Sequence, residues 1–233
     1  SAVYRQSSAV TNTRGMQVDP ENYLLSRQSR FRVEAEIVRD LALASSGLLS
    51  ERIGGPGVHL PQPEGIYDFT QNKKSWPTAI GPDRYRRTMY VMFYRSAPYP
   101  LMTTFDAPDF STVCTRRVRS NTPLQSLTVA NDQVFTELAE GLAKRILQDE
   151  TLTSDEQRSR AMFRMCLTRV PAEAEQAILQ DFFSRELSRF HSSPDEAKKF
   201  VTNPLPDQPS ELQATWTSVA RALWNTDEFL TRN

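Results

Sequence analysis

Ile37, Leu41, Ala44 and Leu48 recur at three- and four-residue intervals, while Glu34, Glu36, Arg39 and Asp40 fall between them. Positions three and four apart share one face of an α-helix, so the pattern predicts a helix with one apolar and one charged side. Gly47 supplies its stop, because glycine adopts the left-handed conformation that ends helices without a Cβ penalty. Upstream, Asp19-Pro20 predicts a second helix start, with proline in the first turn and the carboxylate accepting free backbone N–H groups. A bend is expected near Arg30.

The periodicity then lapses. Five of the eight glycines lie between Gly54 and Gly81, together with Pro56, Pro61, Pro63 and Pro77. Such a stretch cannot continue a helix. Its aromatic, apolar run, Thr88-Met-Tyr-Val-Met-Phe-Tyr94, fits a buried strand or a buried helical turn equally well.

Helical spacing returns at residue 122. Thr122 with Gln125, Ser154 with Gln157 and Ser210 with Gln213 each match a capping box, where hydroxyl and amide satisfy two orphan backbone donors. Asp132 is expected to cap a helix carrying Phe135, Leu138, Ala139, Leu142 and Ile146. Arg160–Leu167 forms the next helix, and Pro171 opens another bearing Ile178, Phe182 and Leu187. Asn203–Pro209 reads as a linker before a last helix with Leu212, Trp216, Val219 and Leu223. The fold expected is therefore one mainly α module over 1–233. It is helical over 1–47, an irregular Gly/Pro/Arg-rich insertion over 48–121, and helical again over 122–233, with at most a short β element. The abrupt polar start, Ser1–Ser8, reads as a cut inside a longer chain.

Charge narrows the function classes. Lys+Arg and Asp+Glu balance at 28 each, whereas a domain built to hold a nucleic-acid backbone carries a basic excess. No apolar run approaches the length of a membrane span. Histidine occurs only as His59 and His191, without a second ligand at metal spacing, so neither a zinc site nor a covalent haem attachment is expected, and no cofactor in this segment. Cys114 and Cys166 allow one disulfide or two free thiols. Gly54-Gly55-Pro56-Gly57 lacks the Lys-Ser/Thr follower of a phosphate loop and reads as a turn.

Two constellations remain. Asp106 and Asp109, in Phe105-Asp-Ala-Pro-Asp-Phe110, could divide acid and base roles if they faced each other across a cleft, although Asp-x-Pro-Asp is also ordinary turn chemistry. The stronger signal is cationic. Arg84, Arg86, Arg87, Arg95, Arg116, Arg117 and Arg119 face only Asp106 and Asp109 over 84–119, a local excess of five positive charges. Guanidinium suits bidentate contacts to carboxylate, sulfate or phosphate. The helix start at Thr122 and Gln125 follows directly, and free N–H groups there favour an anion. The competing reading is that the arginines pair with acids of other helices and pin the long insertion down.

Tyr4-Arg-Gln-Ser-Ser8, Asp19-Pro-Glu-Asn22, Ala35-Glu36 with Arg39-Asp40, Ser46-Gly47, Gly54-Gly55-Pro56, Phe105-Asp106 with Pro108, Arg116-Arg117, Thr122-Pro-Leu-Gln125, Asn131-Asp132 and Asn225-Thr-Asp-Glu-Phe229 occur in this order. The ordered set resembles a planctomycete domain family of unknown function. That family is the C-terminal module of large exported proteins that often carry cytochrome-c-like modules. The resemblance implies an exported (periplasmic or cell-surface) parent protein with an upstream companion domain, and carries no catalytic residues over. Three readings follow. The chain is a structural or interaction module supporting the companion or redox domain, a binder of an acidic or sulfated glycan at the arginine-rich segment, or part of an enzyme site completed upstream.

Overall fold

A computed structural model describes residues 6, 8, 13–66 and 75–232 of the chain. Tyr4, Arg5 and Ser7 of the first quoted motif lie outside them. Among the described residues the regular structure is ten α-helices, two short 3-10 helices (Gly81–Tyr85 and Thr88–Tyr90) and one two-stranded sheet. The early elements are α1 (Thr13–Val18), β1 (Phe31–Arg32), α2 (Ala35–Ser46) and α3 (Pro100–Thr104). Then follow α4 (Pro123–Asn131), α5 (Gln133–Leu147), α6 (Asp155–Leu167), α7 (Glu173–Ser192), α8 (Pro194–Phe200), α9 (Ser210–Trp224), α10 (Asp227–Leu230) and β2 (Thr231–Arg232). The chain is mainly α, as its periodicity predicts.

Packing centres on α9, which lies against α5 and α7, while α2 covers another side of α5. Leu138, Leu142 and Ile146 of α5 and Trp216, Val219 and Leu223 of α9 are all buried in one core cluster. The cluster extends to Val58, Leu60, Tyr99, Leu101 and Phe105 of the irregular segment. β1 and β2 pair antiparallel, Phe31 opposite Arg232, and tie the start of the helical body to its end.

Local signals decided several ends. Gly47 closes α2 at φ 75°. Asp132 accepts from Val134 N at 2.8 Å to start α5, and Ser154 and Gln157 form the reciprocal box of α6. The third expected box is different: α9 begins at Ser210 itself, and buried Gln213 accepts from Leu205 N at 2.8 Å and donates to Asn203 O at 3.0 Å. Asp19-Pro20 opens no helix. α1 ends just before it, and the Asp19 carboxylate accepts from Tyr23 N and Leu24 N, closing a turn. On α7 the inward face carries Leu179, Phe183 and Phe190, and Ile178 is 66% exposed. Thr88–Tyr94 is neither continuous strand nor helix: Thr88–Tyr90 is a 3-10 turn, and Val91 and Tyr94 make isolated bridges to Val58 and Ala97.

Arg169 joins the start of α7 to α10, holding Glu175 and Glu228 each through two hydrogen bonds of 2.7 Å. The guanidinium, helped by Ala172 N, lowers the Glu175 carboxyl from the usual 4.5 to about 2. A depressed carboxylate adds stability that is complete above its unfolded value and lost as pH falls through the folded one. Wild type should therefore lose stability as pH drops from about 4.5 to about 2, and Arg169→Gln should flatten that part of the curve. Thermal melts across the window check it; equal slopes in both proteins would exclude Glu175 as a contributor. Both side chains are well exposed, so salt should shrink the difference.

Candidate functional site

The irregular segment is held against the helices chiefly by arginines. Adjacent Arg39 and Asp40, expected on the solvent side of α2, are buried, and the core face is Val38, Ala42 and Leu43. Arg39 donates to Arg84 O at 2.7 Å and Arg86 O at 2.8 Å. Asp40 accepts from Arg87 Nε at 2.9 Å and Thr88 N at 2.7 Å. A buried polar group is tolerated when its hydrogen bonds are made. Here the irregular segment, whose described residues form only isolated bridges, supplies the partners.

The arginines of the run are taken up in the same way. Arg86 is buried, donates to Pro56 O and Gly54 O, and lies 3.9 Å from the centroid of the Tyr90 ring. Arg84 grips Glu137 of α5 with two bonds, 2.7 and 2.6 Å, and Tyr85 donates to the same carboxylate. Burial pushes Glu137 up, but Arg84 and Tyr85 together hold it below the usual range. Arg117 spans Glu36 and Glu34, and Arg119 also reaches Glu34. The Arg119 hydrogen bond is the main reason that the Glu34 carboxyl lies below its usual range. Arg95 and Arg116 are exposed, and among the described residues neither has an ion-pair partner. Arg116 borders a shallow depression of about 630 Å³ shared with Glu34, Arg117 and Arg119.

The other predicted residues are also structural. Asp106 sits at φ 64° and accepts from Ser120 N at 2.7 Å, from Ser120 Oγ and from Gln125 Nε2. Gln125, buried in α4, also donates to Thr104 O, and its oxygen accepts from Thr122 N at 3.2 Å. Asp109 is exposed and accepts from Ser111 N two residues on, the turn bond that its motif suggests. His59 meets Tyr94 Oη at 3.3 Å and the Trp76 ring edge-on. Cys114 and Cys166 are unpaired, and burial raises the Cys166 thiol to about 12.

A second concavity escapes sequence reasoning. Arg84, Tyr85, Glu137, Glu140, Lys144 and Asn203 line a cleft of about 470 Å³. Glu137 and Glu140 would be an obvious acid/base pair, but both are occupied. Buried Glu140 accepts from Thr202 N at 2.9 Å, from Thr202 Oγ1 and from Asn203 N. The sequence signal is a polar stripe at 137, 140 and 144 on the α5 face opposite Leu138 and Leu142. No group of His, Cys, Asp and Glu suited to a metal ion occurs among the described residues.

Comparison with known proteins places this arrangement in a family. Residues 1–183 match the model described as PSD1, protein of unknown function (DUF1553), and the chain belongs to that family. No curated protein and no solved structure matches it.

Proposed function

We infer that the chain is an interaction module, which presents a stiffened irregular face to a companion domain. One observation carries this reading. The segment is bonded internally by buried guanidinium groups, yet it turns large apolar side chains to water: Ile53 is 90% exposed, Ile80 85% and Met89 59%. Arg52 pairs with Asp83 and Gly54 N donates to Tyr90 Oη, so the stretches bearing these three side chains are bonded to one another. Stiff backbone with exposed apolar anchors suits docking, because little conformational entropy remains to be lost. The partner in this reading is a companion module of the same exported polypeptide, cytochrome-c-like in the resemblance, and this chain holds no cofactor itself.

The test is titration of this chain against its isolated companion domain by calorimetry. Ile53→Asp combined with Met89→Asp should weaken binding by about tenfold or more, the scale expected for central apolar anchors. Ile178→Asp on α7 should leave it unchanged. Equal affinity for all three proteins would overturn the reading. A second reading, an acidic or sulfated glycan at the 630 Å³ depression, is supported by Arg116, the arginine there without an ion pair among the described residues. Binding of a sulfated polysaccharide that Arg116→Ala abolishes would favour it.

A further inference from the structure

Residues of α4, α7, α8 and α9 surround a depression of about 260 Å³, whose lining includes Phe182, Glu186, Arg189, Phe200, Arg221 and Asn225. Its two guanidinium groups are in different states. Arg189 is committed: it donates to Glu186 at 2.8 Å, pairs with Glu196, and lies 4.0 Å from the Phe190 ring centroid. Arg221 stands 5.3 Å from the Phe200 ring centroid. Among the described residues no carboxylate reaches it, and its buried Nε has no acceptor.

The two fully buried guanidinium groups of the protein's irregular segment and α2 differ from it. The Nε of Arg39 and of Arg86 also lacks an acceptor, but each holds two carbonyl oxygens through its terminal nitrogens. Arg221 is half-buried and among the described residues holds none: its Nε is buried without a partner, which has a cost, and its terminal nitrogens are left free to take an acceptor. Burial lowers its basicity, and Glu186 opposes this only through its field. Stacking on an aromatic ring offsets part of the cost, but leaves the planar donor fork unused.

The geometry points to Arg221 as the anchor of a carboxylate group carried on a short apolar stem. The two oxygens would meet the guanidinium fork, the shape it matches best. The stem would lie against Phe182 and Phe200, with the Asn225 amide beside the head. The volume is below the usual range for cofactor or oligosaccharide pockets and suits something the size of one side chain. Two sources share this chemistry: a free small carboxylate, and a glutamate or aspartate side chain of another protein. The pocket is built by helices and not by the irregular segment that bears Ile53, so it stands or falls separately from the docking reading.

The experiment is an NMR titration of the whole chain, following the Nε–H signals of arginine and the rings of Phe182 and Phe200. Propionate, the amide of N-acetylglutamate and sodium chloride are added at matched ionic strength. The expected result is a saturable shift of the Arg221 signal with the carboxylates and none with chloride. Arg221→Met should abolish the ring response, and Arg221→Lys, which keeps the charge but loses the fork, should weaken it by about tenfold. Arg95→Met should match wild type. Tighter binding of the glutamate mimic identifies a protein side chain as the source, and tighter binding of propionate a free carboxylate. A carboxylate response no larger than that of chloride, or one that persists unchanged in both Arg221 variants, overturns the proposal. The lysine variant keeps the test open should the methionine variant fail to fold.

Discussion

Arg39→Met should lower the unfolding free energy by about 3 kcal/mol, the sum of two charge-assisted hydrogen bonds to carbonyls, one buried and one partly buried. Methionine keeps most of the stem volume, so the loss reports on the bonds rather than on a cavity. The damage should also be local first. Arg84 O and Arg86 O lose their donor, and the contacts that depend on this stretch, Arg84 with Glu137 and Arg86 with Gly54 and Pro56, loosen with it. Hydrogen exchange should therefore rise over 84–92 and 54–58, while α5 and α9 keep their protection. Uniform loss of protection across the chain would show that the segment is not a separate unit and that Arg39 is not its clamp.

The second large effect lies in the helical core and has the opposite signature. Trp216→Ala should cost about 3–5 kcal/mol, the range for deleting a fully buried aromatic side chain. Trp216 is 0% exposed and packs 4.6 Å from Phe183, ring centroid to centroid. It sits where α7 meets α9, so its loss undermines the element that contacts most of the others. The melting temperature should fall by roughly 10 °C, with one transition by circular dichroism and by tryptophan fluorescence. A fall of only a degree or two would mean that α7 and α9 close around the gap. Together the two variants ask whether the arginine-clamped segment and the bundle unfold as separate units.

The helical parts were largely legible because their signals are local. Asp132 and Ser154 cap helices through bonds to residues two or three positions on, and those bonds form wherever the backbone turns. Legibility failed where an identical local pattern met a distant competitor. Ser210 and Gln213 match the box as well as Ser154 and Gln157, but the 203–209 linker folds back and takes the glutamine. The faces of α2 and α7 were legible only in part, for a related reason: Ile37, Leu41, Leu48, Phe182 and Leu187 pack against the core, but Ala44 and Ile178 are exposed. Spacing defines an apolar stripe, but neighbours choose which stripe goes inward, so Val38 and Ala42 are buried where Ala44 is exposed. β1 and β2, about two hundred residues apart, leave no periodic trace.

The candidate site divides along the same line. The concentration of guanidinium groups in a glycine- and proline-rich segment, and its need for external hydrogen-bond partners, can be read directly from residues 84–119. Their job cannot, because the acids that engage Arg84, Arg87 and Arg117 stand 47 to 83 positions away, on α2, at its N-cap Glu34 and on α5. A charge in sequence has a sign but no address. Folding sets the distances, and at a few ångströms a neighbouring carboxylate outcompetes any ligand from solution. Most of the run was thereby turned into a clamp, while Arg221, which nothing in the sequence singled out, has no ion-pair partner among the described residues and a buried Nε without an acceptor.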